Sequence, residues 1–150
     1  MREILPQRPQ SENAKIHKVF FRNRHSKIKN QMADHNELGK LGEELAENYL
    51  TKNGYTILET NWIFQKAEID IIAQKADILA IVEVKTRSSI DFGLPQDFVK
   101  PKKIQLLVKA VNEYVVSRDL DVTVRFDIIA INKEGKDFNV EHIEDAFFYF

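Results

Sequence analysis

Four ionisable side chains fall inside two apolar runs of the stretch Ala67–Arg87, A-E-I-D-I-I-A-Q-K-A-D-I-L-A-I-V-E-V-K-T-R. Glu68 and Asp70 belong to the first run, Glu83 and Lys85 to the second, and Gln74-Lys75-Ala76-Asp77 joins them. Each run has the length and the Ile/Val content of a β-strand. Strand side chains alternate between faces, so Glu68, Asp70 and Ile72 share one face of the first strand. Ile81, Glu83 and Lys85 share one face of the second, with Val82 and Val84 on the other. An unpaired charge in a buried strand is strongly unfavourable. A divalent cation between Asp70 and Glu83 removes that cost, because hard cations take carboxylate oxygens.

Positioning these groups takes few elements. Asp34 to Asn53 reads as a helix: Asp34 or Asn36 can cap it, and Asn53-Gly54 is a stop signal. Leu38, Leu41, Leu45 and Tyr49 form its apolar stripe. Gly39 and Gly42 border that stripe, where a glycine lets a neighbour approach closely. Glu43 falls at one edge of the buried face, Glu44 at the other, and Glu47 toward solvent. By periodicity alone Glu43 is as readily a solvated charge as a site residue. Strands follow at Tyr55–Phe64, Glu68–Gln74 and Ile78–Thr86, with connections short enough for an antiparallel meander. Glu59-Thr60-Asn61 breaks the polarity of the first, and Trp62 reads as core rather than as a base-stacking surface.

Arg87 to Pro101, with Gly93 and Pro95, reads as a loop leaving the strand of Lys85. Arg87 and Ser88 are candidate phosphate contacts, set against a solvated loop as the plainer reading. Pro101 suits the first turn of a helix running to about Arg118, with Ile104, Leu107, Val108, Val111 and Val115 buried. Lys100, Lys102 and Lys103 cluster at its start. Lysines there oppose the helix dipole, a conflict that a bound phosphate relieves. Val122–Asn132 is a strand with Arg125 and Asp127 on one face, read as a fold-supporting pair, and Phe126, Ile128 and Ala130 on the other. Phe138–Ile143 is a last short strand, and Asp145–Phe150 an aromatic terminus read as packing on the body, with a partner surface as the alternative. His35 and His142 lack ligand partners at useful spacing and read as structural or exposed. The core order is α-β-β-β-α-β, and the helical crossover makes the last main strand parallel to the third.

At 150 residues one domain is expected. The absence of cysteine excludes a disulfide framework and a thiolate metal site, and suits a reducing cytoplasm. No apolar run approaches a membrane span, and no apolar h-region marks a secretory signal, so no membrane partner is expected. The net charge of −1 hides an asymmetry: residues 1–31 hold eight Lys/Arg against two acids, +6, and the remainder 14 against 21, −7. An acidic body argues against a broad phosphate-binding surface and permits a local basic strip beside an acidic site. Residues 1–31 read as a basic, unstructured extension to a domain spanning 32–150, since Met32 directly precedes the patterned region. A nucleic-acid-binding arm is the functional alternative.

The ordered set Gly39-x-x-Gly42-Glu43, Ala46, Tyr49-Leu50, Asn61-Trp62, Glu68-Ile69-Asp70-Ile71-Ile72-Ala73, Val82-Glu83-Val84-Lys85-Thr86-Arg87-Ser88-Ser89, Phe92-Gly93, Lys102, Leu106, Arg125-Phe126-Asp127 and Asp145-Ala146-Phe147 resembles the YraN family. Asp70 with Glu83-Val84-Lys85 is similar to the core motif of the PD-(D/E)XK, restriction-endonuclease-like superfamily, which includes Holliday-junction resolvases. The resemblance runs from about Leu38 to Phe147 and departs at Ala67, where the family usually has glycine. It implies an α/β fold with a restriction-endonuclease-like mixed central sheet between helices. It also implies an endonuclease dependent on Mg²⁺ or Mn²⁺ that hydrolyses phosphodiester bonds in DNA, with branched or junction DNA as a candidate substrate. In that reading Asp70, Glu83 and the Val84 carbonyl hold the metal, and Glu43 joins them directly or through a water. Lys85 orients or deprotonates the attacking water and stabilises growing negative charge, and Glu68 supports the ligands. Lys102 matches a family position, and the dimeric state of similar resolvases makes a homodimer an expectation. The rival reading is a non-catalytic nucleic-acid-binding module or an adaptor in DNA processing.

Overall fold

The structure is a computed structural model that describes residues 15–22, 31–88 and 99–146. Outside these lie the expected Phe92-Gly93 and Pro95 features and the aromatic residues from Phe147 onward, and the His35 side chain is likewise not described. The elements are β1 (Lys15–Arg22), α1 (Gln31–Lys52), β2 (Thr56–Phe64), β3 (Ala67–Lys75), β4 (Ile78–Arg87), α2 (Pro101–Ser117), β5 (Thr123–Glu134) and β6 (Asp137–Glu144). Six strands form one mixed sheet in the order β1-β6-β5-β4-β3-β2. β4 and β5 run parallel across the α2 crossover, and every other pairing is antiparallel. From α1 to β5 this is the expected α-β-β-β-α-β order of a restriction-endonuclease-like α/β fold.

Three expectations are corrected by the element bounds. Residues 15–22 are not an unstructured extension, because β1 pairs with β6 from Lys15↔Glu144 to Arg22↔Asp137. Helix α1 begins at Gln31, which places Asp34 and Asn36 inside it rather than at its cap. Strand β4 runs through Arg87, so the loop begins later than expected. Asn53-Gly54 does end α1. Gly54 takes φ 84°, and the Tyr55 and Gly54 amides donate to the Leu50 and Thr51 carbonyls, a left-handed closure that glycine adopts without strain. Just before the polarity break in β2 lies a bulge: pairing with β3 shifts by one residue between Ile57 and Glu59.

Each helix covers one face of the sheet. Under α1, Ala46, Tyr49 and Leu50 pack on Ile71, Ala73, Ala80, Val82, Ile129, Ile131 and Val140. Under α2, Leu107, Ala110, Val111 and Tyr114 pack on Ile69, Ile72, Leu79, Ile81, Phe126 and Ile128. Both helices are rotated from the expected stripes. Tyr49, Leu107, Val111 and Val115 are buried as expected, but Leu38, Leu41 and Leu45 are only half-buried, as are Ile104 and Val108, while Gly42, Ala46, Ala110 and Tyr114 face inward. Small residues set this rotation, because they let α1 approach the sheet. A Cβ on Gly42 would clash with Thr86 Oγ1, far inside van der Waals contact distance, whereas one on Gly39 would meet nothing. Trp62 joins the core as expected, stacked on Phe64 and edge-on to Tyr114.

Candidate functional site

The break in β3 positions the first acid. Ile69 packs under α2 and Ile71 under α1, so the regular alternation fails between them, at Asp70. The β3–β4 ladder ends at Ile71↔Val82. Continued in register, the next pair would set Asp70 opposite Glu83, and instead the strands part. Asp70 Oδ2 enters the opening and accepts a hydrogen bond from the Val84 amide at 2.7 Å. The expectation that Asp70 shares a regular strand face with Ile72 is thereby corrected.

Glu83 is 4% exposed and stands on the α2 face of β4. Ile69, Ile81, Val82 and Leu107 pack around it. Its Oε1 accepts two cationic donors, Lys85 Nζ at 2.7 Å and Lys103 Nζ at 2.5 Å. Lys85 arrives from the same strand face, as alternation requires. Lys103 arrives from the first turn of α2, one helical turn before buried Leu107. Burial first, and then the Glu83 charge, push the Asp70 carboxyl from 3.8 up to about 6, against the opposing pull of the Val84 amide and of Lys103 and Lys85. Two carboxylates held on parting strands, both hard oxygen donors, fit a divalent cation.

The other expected residues are placed differently. Glu43 is half-buried, and its Oε2 accepts from Asn61 Nδ2 at 3.3 Å. Among the described residues no three acidic or histidine side chains converge as a metal cluster, so Glu43 is not gathered with Asp70 and Glu83. Glu68 is exposed. Lys100, Lys102 and Ser88 are exposed and Arg87 is half-buried at the end of β4. Lys103 was expected beside Lys100 and Lys102 on phosphate; it reaches Glu83 instead. Lys103 stands four residues before Leu107, at the head of the face that α2 turns toward the sheet, and that rotation is set by packing rather than by the period of the sequence.

A second polar cluster lies on the α1 face. Asp127 is fully buried and accepts from Arg125 Nε at 2.8 Å, Arg125 Nη2 at 2.7 Å, His142 Nε2 at 2.8 Å and the Asp145 amide at 3.0 Å. Burial pushes its carboxyl up, and the bonds and charges of His142 and Arg125 outweigh burial, so it is held below the ordinary value of 3.8. Arg125 also donates to the Tyr55 hydroxyl at 2.6 Å. The Arg125–Asp127 pair is the fold support expected of it. His142 completes it, a role that no local spacing announced. Ala146, after the turn at Asp145, is tied to β5 as well, its amide donating to the Phe126 carbonyl at 2.8 Å.

Fold and site together define a mixed α/β protein with a carboxylate–lysine centre at the fork of its central strands. The chain belongs to the uncharacterised protein family UPF0102, whose family model matches residues 42–131. It is 74% identical over 119 residues to the UPF0102 protein FP2501 of Flavobacterium psychrophilum, covering 79% of this chain and 100% of that protein. A UPF0102 protein of Flavobacterium johnsoniae is 63% identical over 123 residues, with 79% and 100% covered. One of Bacteroides fragilis is 48% identical over 117 residues, with 78% and 97% covered. Among solved structures, Pyrococcus furiosus SfsA in complex with Ca²⁺ aligns at a TM-score of 0.32 and 12% identity, over 73% of this chain and 63% of that one. Among the described residues no helix is long and apolar enough to cross a membrane.

Proposed function

We propose that the protein is a nuclease of the PD-(D/E)XK type that hydrolyses phosphodiester bonds in DNA with Mg²⁺ or Mn²⁺. One observation carries the reading: Asp70 enters the β3–β4 opening beside Glu83, and Lys85 stands on the same centre. Asp70, Glu83 and the Val84 carbonyl hold the cation, which supplies Lewis-acid stabilisation where negative charge grows. Lys85 orients the attacking water and meets the charge developing on the phosphate. Arg87, Ser88, Lys100 and Lys102 grip flanking phosphates, with branched DNA as a candidate substrate and a homodimer as the assembly. The test pairs thermal melting with and without Mn²⁺ or Mg²⁺ with cleavage of labelled duplex, flap, single-stranded and four-way DNA. Wild type is expected to gain stability from metal and to cut. Asp70→Asn is expected to lose both responses, and Lys85→Ala to keep the metal response and lose cleavage. Wild type that neither responds to metal nor cuts defeats the reading.

A second reading, a non-catalytic nucleic-acid-binding module, is favoured by the full neutralisation of Glu83 by two lysines. It predicts DNA binding that is indifferent to divalent metal.

A further inference from the structure

We propose that Lys103 is a tethered counter-ion of the carboxylate centre, and that its release couples divalent-cation binding to the binding of a phosphodiester backbone. The inference rests on the nuclease reading and adds how that site is regulated. Two ammonium groups converge on one oxygen of a buried carboxylate, Lys103 at 2.5 Å and Lys85 at 2.7 Å from Glu83 Oε1. With Asp70 beside them, two positive and two negative side chains already balance. A divalent cation taken up by the same carboxylates leaves two charges in excess. Like charges this close in a partly buried site repel strongly, so one ammonium must leave.

Lys103 is the one free to go. Lys85 issues from the strand two residues beyond Glu83, so the β4 backbone holds it near the carboxylate. Lys103 issues from a separate element, and its side chain is 41% exposed against 33% for Lys85. Its four-carbon stem can swing the ammonium to solvent without moving α2. Lys100 and Lys102 stand exposed in the same turn, so a polyanion arriving there meets the released charge. A phosphate that draws Lys103 off Glu83 removes the competitor for the cation. By linkage a bound cation then raises affinity for the polyanion by the same factor.

The experiment measures Mn²⁺ affinity of the full chain by calorimetry, for wild type, Lys103→Met and Lys103→Gln. Each is titrated alone, with a phosphodiester duplex, and with an uncharged methylphosphonate duplex. Loss of the competing charge is expected to tighten Mn²⁺ binding about tenfold in both variants, the scale of one charge-assisted hydrogen bond. The phosphodiester duplex is expected to tighten wild-type binding by at least about fivefold, to leave the variants unchanged, and to have no uncharged counterpart. Lys103→Gln keeps a donor for Glu83, so it serves where Lys103→Met fails to fold. If wild type binds Mn²⁺ and Asp70→Asn abolishes it, but the Lys103 variants bind no tighter, this inference is overturned and the nuclease reading stands. If no protein binds Mn²⁺, both fall.

Discussion

Replacing Asp70 by Asn is expected to stabilise the metal-free protein. The Asp70 carboxyl is pushed from 3.8 up to about 6, by burial first and by Glu83 next. The folded state therefore holds this proton more tightly than the unfolded chain does, and keeping Asp70 ionised costs stability. At about 1.36 kcal/mol per pKa unit, the cost reaches about 3 kcal/mol well above pH 6. It declines as pH falls from about 6 toward 3.8 and disappears below that window. Asn carries no charge, and its Oδ1 can still accept from the Val84 amide. The gain at pH 7.5 is thus expected at roughly 1–3 kcal/mol, or about 3–10 °C in melting temperature for a chain of this size. Urea unfolding in EDTA at pH 7.5 and 4.5 measures it, and full linkage leaves only about 1 kcal/mol of the difference at pH 4.5. Titrating groups remote from Asp70 are common to both proteins and cancel in the comparison, which leaves Glu83, Lys85 and Lys103 as the ones coupled to it. An Asn variant less stable than wild type at pH 7.5, or a difference that does not narrow at pH 4.5, would refute the confrontation of two carboxylates in the β3–β4 opening.

Glu83→Gln is expected to act in the opposite direction, lowering metal-free stability by about 1–3 kcal/mol, because Lys85 and Lys103 lose their shared carboxylate; parallel urea curves of the two variants show whether the signs differ. Gly42→Ala forces its new Cβ against Thr86 and is expected to cost about 1–3 kcal/mol. Thr86→Ala in the same chain removes the closest atom and should restore part of that loss, as a double-mutant cycle reads. Asp127→Asn leaves Arg125 buried without its charge partner and is expected to cost about 3–5 kcal/mol at neutral pH. Because the Asp127 pKa is lowered in the folded state, its contribution is present above 3.8 and lost as pH falls through the folded value, so the Asn variant should converge on wild type in acid.

Much of this was legible in the chain because the signals are local. Alternation placed Glu83 and Lys85 on one strand face, and the two structural observations agree: both point toward α2 and touch. Gly54 marked the end of α1 because only a left-handed residue closes a helix that way. Arg125 and Asp127, two apart on one strand, were bound to meet. Other features depend on how elements pack, which period alone does not specify. The periodic stripe of α2 ran through Ile104, Leu107, Val108, Val111 and Val115; Leu107, Val111 and Val115 are buried, but packing turned the helix so that Ala110 and Tyr114 also face the sheet and Lys103 reaches Glu83. Gly42 matters through Thr86, a residue 44 positions away that no window of sequence joins to it. The segment Lys15–Arg22 lies in a basic, aperiodic stretch whose one apolar cluster is Lys18-Val19-Phe20-Phe21, and it becomes a strand because β6 presents an open row of backbone donors and acceptors. His142 is bland by spacing and buried by topology, since only the β5–β6 pairing, which sets it opposite Ile129, carries it to Asp127. The sequence by itself determined which strands carry the charges and in what order they come. The tertiary structure decided where β3 parts from β4 and which lysine fills the gap, because strand parting and helix rotation are settled by close packing between elements distant in the chain.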